Sequence, residues 1–334
     1  MKYIRLGNTA LNVSKLCLGC MSFGDNDSTG LHKWAIDEQK SHEILQKALE
    51  LGINFFDTAN IYSAGKSELF LGEGIKKYAR RKDVILATKV FFNEYEGSEN
   101  KNGLSRTSIL SEIDKSLNRL QTDYVDIYII HRFDYNTPVE ETMLALDEVV
   151  KSGKARYIGA SAMYAWQFLK MQNAAEKSGL TKFATMQNHL NLIYREEERE
   201  MIPLCQEQGV ALTPYSPLAG GRLTRDIGMQ TNRSKLDHIN DGKYGASADI
   251  DRPIIERVGE IAQKHGIPRI RVALAWLMQK DICTVPIVGA TKLNHIEDAV
   301  NSIDLILSKD EITYLEEPYL PHKVTGALSK VISL

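Results

Sequence analysis

Two hydrophobic rhythms alternate along this chain. Short apolar runs near 15–19, 53–57, 83–90, 124–130, 155–160, 184–188, 210–214 and 283–287 read as eight strands. Between them, apolar residues recur at three- and four-residue spacing over 37–51, 66–80, 106–120, 138–152, 164–178, 194–208, 253–265 with 269–280, and 292–302, which predicts amphipathic helices. Strand and helix taking turns over nearly the whole length predicts parallel βα units, and eight of them predict a (β/α)8 barrel. Residues 2–6 and 11–14 flank Gly7-Asn8-Thr9 and read as a hairpin that precedes the barrel. Gly52, Gly153, Gly179, Gly209 and Gly266 each follow a helical run, as a left-handed C-cap does, while Ser105 and Thr137-Pro138 supply helix start signals.

Two connections are too long for plain turns, 91–104 after the third strand and 217–251 after the seventh. Both follow strand C-termini, where a barrel carries its site, so both are expected to be binding loops or lids. No internal repeat, low-complexity segment or domain boundary is evident, and residues 1–334 are read as one domain. A hydrophobic content of 43% supports a large core, and 41 basic against 43 acidic residues give no bias toward nucleic acid or an anionic membrane. No apolar run approaches the ~20 residues that span a bilayer, and the N-terminus lacks a signal-like stretch, so a soluble cytoplasmic protein is expected. Oligomeric state is not legible. Cys17 and Cys205 lie in apolar-periodic stretches and are expected to be small buried hydrophobes; Cys17-Leu18-Gly19-Cys20 has C-x-x-C spacing, but no second pair and no helix opening at Cys17 accompanies it, which disfavours a redox or zinc reading.

Asp57 and Tyr62 lie on one βα connection, Lys89 sits inside the third strand, and His131 ends the fourth. A lysine in a strand covered on both faces needs a partner, and Asp57 is the obvious one. Such a pair beneath a phenol is expected to pull the Tyr62 pKa down from about 10 and make it a general acid near neutral pH. His131 would orient the substrate oxygen. Taken singly, each residue has an ordinary structural explanation: a turn carboxylate, a half-buried aromatic, a snorkelling lysine and a core histidine. A metal-dependent hydrolase is disfavoured, because no His or carboxylate cluster at these strand ends has ligand spacing.

The runs Asp57-Thr58-Ala59-x-x-Tyr62, Thr88-Lys89, His131-Arg132-Phe133-Asp134 and Gly159-Ala160-Ser161 resemble the aldo-keto reductases, and the likeness extends from Leu6 to Ala290. Gln187-Asn188-His189 and Tyr194-Arg195-Glu196-Glu197-Glu198 look like the bacterial and fungal branch near the aryl-alcohol dehydrogenase-like and YajO-type members. The resemblance implies a nicotinamide cofactor held without a Rossmann domain, and no G-x-G-x-x-G joins a strand to a helix here. It also implies a catalytic tetrad of Asp57, Tyr62, Lys89 and His131, with Tyr62 as proton donor to a small carbonyl substrate.

By the same resemblance, Asp57, Ser161 and Gln187 would meet the nicotinamide end, Tyr215 would stack on the ring, and Ser216, Leu218 and Gly220 would face the pyrophosphate, with Arg222 and Arg233 closing a lid. Gly289, Thr291, Lys292, His295 and Asp298 would take the adenosine end, with Lys292 at a helix start favouring NADPH over NADH. Ala162 and Ala299 depart from the pattern, standing where many relatives have Asn. The activity implied is NADPH-dependent reduction of aldehydes or ketones. The alternatives are alcohol oxidation or a non-catalytic nucleotide sensor like the potassium-channel β subunits. Loops 22–34 and 91–104, the lid, Trp166, Tyr319 and His322 are expected to build the substrate pocket.

Overall fold

The computed structural model describes residues 1–25, 33–92, 103–280 and 284–325. An antiparallel hairpin, β1 (Tyr3–Arg5) and β2 (Asn12–Ser14), precedes eight parallel strands. These are β3 (Cys17–Gly19), β4 (Phe55–Asp57), β5 (Ile85–Val90), β6 (Val125–Ile130), β7 (Ala155–Ser161), β8 (Phe183–Gln187), β9 (Ala211–Leu212) and β10 (Ile287–Gly289). Their spatial order is β10-β3-β4-β5-β6-β7-β8-β9, and the ends meet. Val285 N–H donates to Leu212 O at 2.9 Å and Ile287 N–H to Pro214 O at 2.9 Å, which brings the last strand against β9 and closes the ring.

The helices α1 (Glu38–Glu50), α2 (Lys66–Tyr78), α3 (Arg106–Leu120), α4 (Val139–Lys151), α5 (Ala165–Lys177) and α6 (Met201–Glu207) alternate with the strands. Two short helices, α7 (Asn232–Leu236) and α8 (His238–Tyr244), follow β9, then α9 (Ala248–His265) and α10 (Arg269–Met278); α11 (Leu293–Asn301) and α12 (Lys309–Glu316) come after β10. Ser105 caps α3 by accepting from Ser108 N–H, and the five expected C-cap glycines all have φ between 62° and 85°.

Strand parity divides the core. Leu18, Phe56, Leu86, Tyr128, Ile130 and Met186 face the helices, where they join the larger apolar cluster. Cys17, Phe55, Ile85, Ala87, Ile127 and Ile129 face the barrel interior, and Leu6, Leu11 and Val13 of the hairpin region pack with them. The hairpin therefore floors the barrel. Because successive strand residues point to opposite faces, Asp57, Lys89 and His131 share the inward parity of Phe55, Ala87 and Ile129. The register Gly19↔Asp57↔Ala87 and Lys89↔Ile129↔Gly159 sets these ends side by side.

Three boundaries differ from the sequence expectation, and proline accounts for two. The strand expected over 283–287 is regular only at Ile287–Gly289, because Pro286 has no N–H for the ladder. The helix expected over 194–208 is a 3-10 turn, Glu196–Glu198, followed by α6, whose Pro203 is tolerated because it falls in the first turn. The segment 217–251 is not a plain loop: it carries α7, α8 and the start of α9, where Asp251 accepts from Ser247 Oγ at 2.7 Å.

Candidate active site

Lys89 organises the inward end of the strands. Its side chain is fully buried, and its ammonium donates to Asp57 Oδ2 at 2.6 Å, Thr58 O at 2.8 Å and the Tyr62 hydroxyl at 3.2 Å. Gln187 Nε2 donates to the other Asp57 oxygen at 2.9 Å, and Ser161 Oγ donates to Gln187 O at 2.8 Å. Carboxylate, ammonium and phenol thus form one chain of contacts that runs from strand to strand. Tyr62 reaches it from the turn after β4, where its N–H donates to Ala59 O at 3.1 Å. The His131 ring stands edge-on to Tyr62 with centroids 5.8 Å apart, and its enclosed Nδ1 has no partner among the described residues.

The electrostatics correct one expectation. The Tyr62 phenol is pushed above its ordinary pKa, chiefly because burial disfavours phenolate; the Lys89 ammonium opposes this, and the Asp57 carboxylate adds to it. Part of the ring remains open to the cleft, but the hydroxyl is deep enough for desolvation to prevail. The Tyr62 phenol is therefore protonated across the neutral range. The Lys89 ammonium is held above its usual range because the Asp57 and Tyr62 contacts outweigh burial. Burial, with the charges of Lys89, Arg132 and Lys243, lowers the His131 pKa well below 6.5, which leaves a neutral imidazole.

Above this network lies a cleft of about 1210 Å3. Asp57, Tyr62, His131, Ser161, Gln187, Tyr215, Ser216, Leu218, Gly220, Arg233, Gly289, Thr291, Lys292, His295 and Asp298 all line it. Lys89 lies beneath its floor. Arg222, expected over the cofactor, is not part of the lining: its guanidinium lies 5.7 Å from the Tyr244 ring centre, and Arg225 faces the cleft instead. Trp166, Tyr319 and His322 do not line it either. Trp166 packs on Phe133, while Tyr319 Oη donates to Glu196 at 2.7 Å and His322 Nε2 meets Asp251 at 2.7 Å. Trp34 and Phe92 do line it, whereas 26–32 and 93–102 of the expected pocket loops lie outside the described residues.

Backbone strain concentrates around the cleft. Among the described residues, six non-glycine positions have left-handed φ, and five of them, Ser63, Ala64, Ala162, Ser216 and Ala219, adjoin site residues. Such conformations cost free energy and persist where the surroundings over-determine them. Together with Gly220 (φ 63°) and Gly221 (φ 90°), Ser216 and Ala219 give the segment 216–221 four left-handed residues, and left-handed backbone of this kind can turn N–H groups toward an anion. At the far end Lys292 is the N-cap of α11 without a side-chain capping bond, and Arg233 stacks on Trp34 at 3.9 Å. The charges of Lys292 and Arg233 both reach His295, whose pKa burial already lowers. Asp298, mapped to the adenosine end, is held by Arg271 at 2.9 Å.

Cys17 and Cys205 are free and buried, as expected, and so is Cys20. Among the described residues, the one grouping with metal-ligand spacing is Glu38, His42 and Glu73, on α1 and α2 and outside the cleft lining. No helix among them is long and apolar enough to cross a membrane. Trp34, Phe92, Arg225 and Lys243 line the cleft from within the expected loops 22–34 and 91–104 and the 217–251 segment, although sequence reasoning named none of them singly; Arg132 was quoted within a motif without a role. Lys243 carried no usable signal, because its place depends on how α8 folds back over the barrel.

The description "Aldo/keto reductase family" fits residues 15–319. The versiconal hemiacetal acetate reductase of Aspergillus parasiticus is 43% identical to this chain, covering 97% of it and 98% of the relative. A Schizosaccharomyces pombe protein named as an aryl-alcohol dehydrogenase is 43% identical over 97% of each chain. The aldo-keto reductase dtxS3 of Metarhizium robertsii is 42% identical, covering 97% of this chain and 92% of its own. The aryl-alcohol dehydrogenase side of the family expected from the sequence is represented among these relatives. With matches this long at this identity, the chain belongs to the aldo/keto reductase family and is an NAD(P)(H)-dependent oxidoreductase of carbonyl compounds.

Proposed function

We propose that this chain is an NADPH-dependent reductase of aldehydes or ketones in which Tyr62 donates the proton. The observation that carries the reading is the Lys89 ammonium, held at 2.6 Å from Asp57 and 3.2 Å from the Tyr62 hydroxyl at the floor of the cleft. When bound, the reduced nicotinamide supplies hydride to the carbonyl carbon. The protein's part is to place a hydrogen-bond donor where oxyanion charge develops. Tyr62 gives its proton to that oxygen, neutral His131 donates a hydrogen bond that orients it, and Lys89 takes up the negative charge left on the phenol.

A dinucleotide suits the remaining lining. Gln187 and Ser161 stand beside Asp57 for the amide of the ring, and Tyr215, stacked on His189 at 5.1 Å, would stack on the ring. The left-handed residues of 216–221, with Arg225, suit the pyrophosphate, while Arg233, Lys292 and His295 suit a ribose 2′-phosphate and favour NADPH. The same proposal takes residues 1–334 as one domain. It also places the chain in the cytoplasm, where the three described free thiols would stay reduced.

Loss of NADPH absorbance with a panel of aliphatic, aromatic and sugar carbonyls tests the reading. Turnover by the wild type and its loss in Tyr62→Phe, with NADPH affinity retained, is the expected result. Tight NADPH binding with no turnover on any carbonyl would favour the nucleotide-sensing alternative. Alcohol oxidation uses the same groups in reverse, and the ratio of forward to reverse kcat/KM decides which direction dominates.

A further inference from the structure

Enclosed cations in this protein usually hold carboxylates. Arg81 donates to Asp126 at 2.8 Å, Arg119 to Glu68 at 2.6 Å, and Arg195 to Glu198 at 2.7 Å. Three partly enclosed cations that line the cleft break this pattern: Arg225 donates to the carbonyls of Gly221 and Met229, and Arg132 and Lys243 have no hydrogen bond or ion pair among the described residues. Arg132 follows His131 at the end of β6; its guanidinium lies 4.6 Å from the Phe92 ring centre and 5.3 Å from that of Phe91. Its enclosed Nε has no hydrogen-bond partner, and the side chain forms no ion pair among the described residues. Lys243, on α8, has its ammonium 5.0 Å from the Tyr215 ring centre and likewise makes no hydrogen bond or ion pair there.

The charges of Arg132 and Lys243 act on the reaction centre. Both depress the pKa of His131, and the Tyr215 phenol raises that of Arg132 against the effect of burial. Aromatic faces attract a cation but leave its N–H donors unsatisfied, so each of these side chains keeps unspent capacity toward an acceptor. Burial lowers the pKa of both, and that of Lys243 falls to about 8 with Asp237 opposing and Arg233 adding to the shift. Each of these charges faces the cavity partly desolvated, and an anion bound in the cavity stabilises it. The phosphates of the cofactor have other partners in the reading above: the 216–221 backbone, Arg225, Arg233 and Lys292.

We propose that Arg132 and Lys243 form an oxyanion-binding subsite beside Tyr62 and His131, so that the preferred substrates are aldehydes or ketones bearing a carboxylate or phosphate group. The Arg132 guanidinium, packed against the Phe91 and Phe92 rings, suits two-point recognition of such a group, while Lys243 supplies a point charge. This inference rests on the reductase reading of the same cleft.

Paired substrates test it: succinic semialdehyde against butanal, carboxybenzaldehyde against benzaldehyde, and glyceraldehyde phosphate against glyceraldehyde. The expected result is a kcat/KM preference for the charged member of about 10- to 100-fold, the size of a charge-assisted hydrogen bond. In Arg132→Met and in Lys243→Met that preference should collapse through KM, while NADPH affinity holds. The first two pairs read the carboxylate and the third the phosphate; a preference in either supports the subsite and names its group. Equal use of charged and neutral members by the wild type would overturn the proposal. So would variants that lose NADPH affinity without losing selectivity. Succinate binding, followed by calorimetry on the NADPH-saturated protein, does not depend on turnover. Binding that Arg132→Met abolishes supports the subsite even if no aldehyde is reduced, and no binding of succinate or inorganic phosphate overturns it.

Discussion

Replacing Lys89 by Met separates what the buried pair does for the fold from what it does for the chemistry. The lysine and Asp57 side chains are 0% and 4% exposed, so the substitution leaves a carboxylate deep in the barrel with only the 2.9 Å bond from Gln187. Breaking a buried pair by removing one member costs about 3–5 kcal/mol, most of it the uncompensated charge. The bonds from Lys89 to Thr58 O at 2.8 Å and to Tyr62 at 3.2 Å go with it. Turnover should fall by about 10²- to 10³-fold, the usual loss on removing a preorganised charge-stabilising donor, because nothing then balances phenolate at Tyr62. The double variant Lys89→Met/Asp57→Asn removes the stranded charge and should recover much of the stability while recovering none of the activity. Urea unfolding followed by circular dichroism reads the first quantity and single-turnover NADPH oxidation the second. A Lys89→Met protein with wild-type midpoint and wild-type rate would refute the pairing, and a double variant as unstable as the single would refute the stranded-charge explanation.

Three further outcomes follow from the geometry. Lys292→Ala and Arg233→Ala should each weaken NADPH much more than NADH in fluorescence titrations, and equal losses for both cofactors would remove them from 2′-phosphate recognition. Ala162 is buried with φ 43°, a conformation that costs a residue with a Cβ about 1–2 kcal/mol and that Asn tolerates better; Ala162→Asn should therefore raise the urea midpoint, and a lower one would locate the strain elsewhere. Burial and the charges of Lys89, Arg132 and Lys243 hold His131 neutral with a lowered pKa, so the unfolded chain binds more protons than the folded one as pH falls below about 6.5. Stability should be fully present above that pH and decline beneath it, with a shallower decline in His131→Asn; identical slopes would show that other groups govern acid unfolding.

Much of the barrel was legible because its signals are local. Ser105, the C-cap glycines and the apolar runs each fix an element by backbone chemistry within a few residues. The convergence of Asp57, Lys89 and His131 was legible for a related reason, since strand alternation alone sets each of them on the inward face of its apolar run. Errors arose where a distant partner decides. Pro286 shortens β10, yet the segment before it still closes the ring through Leu212, a contact that strand propensity does not encode. The fold of 217–251 depends on packing over the barrel, which is why Arg222 was expected where Arg225 lies and why Lys243 went unnoticed. The direction of the Tyr62 shift was misjudged because sequence reveals the neighbouring ammonium but not the depth of the phenol, and here depth prevails.

The central claim is that the Tyr62 hydroxyl, set against Lys89, delivers the proton to the substrate oxygen. Its most direct test is the rate of a single turnover in Tyr62→Phe, with NADPH affinity measured on the same sample. The account predicts that affinity is nearly unchanged and the chemical step is lost, because phenylalanine keeps the ring and removes only the O–H. A Tyr62→Phe enzyme that reduces its carbonyl substrate at the wild-type rate would contradict it.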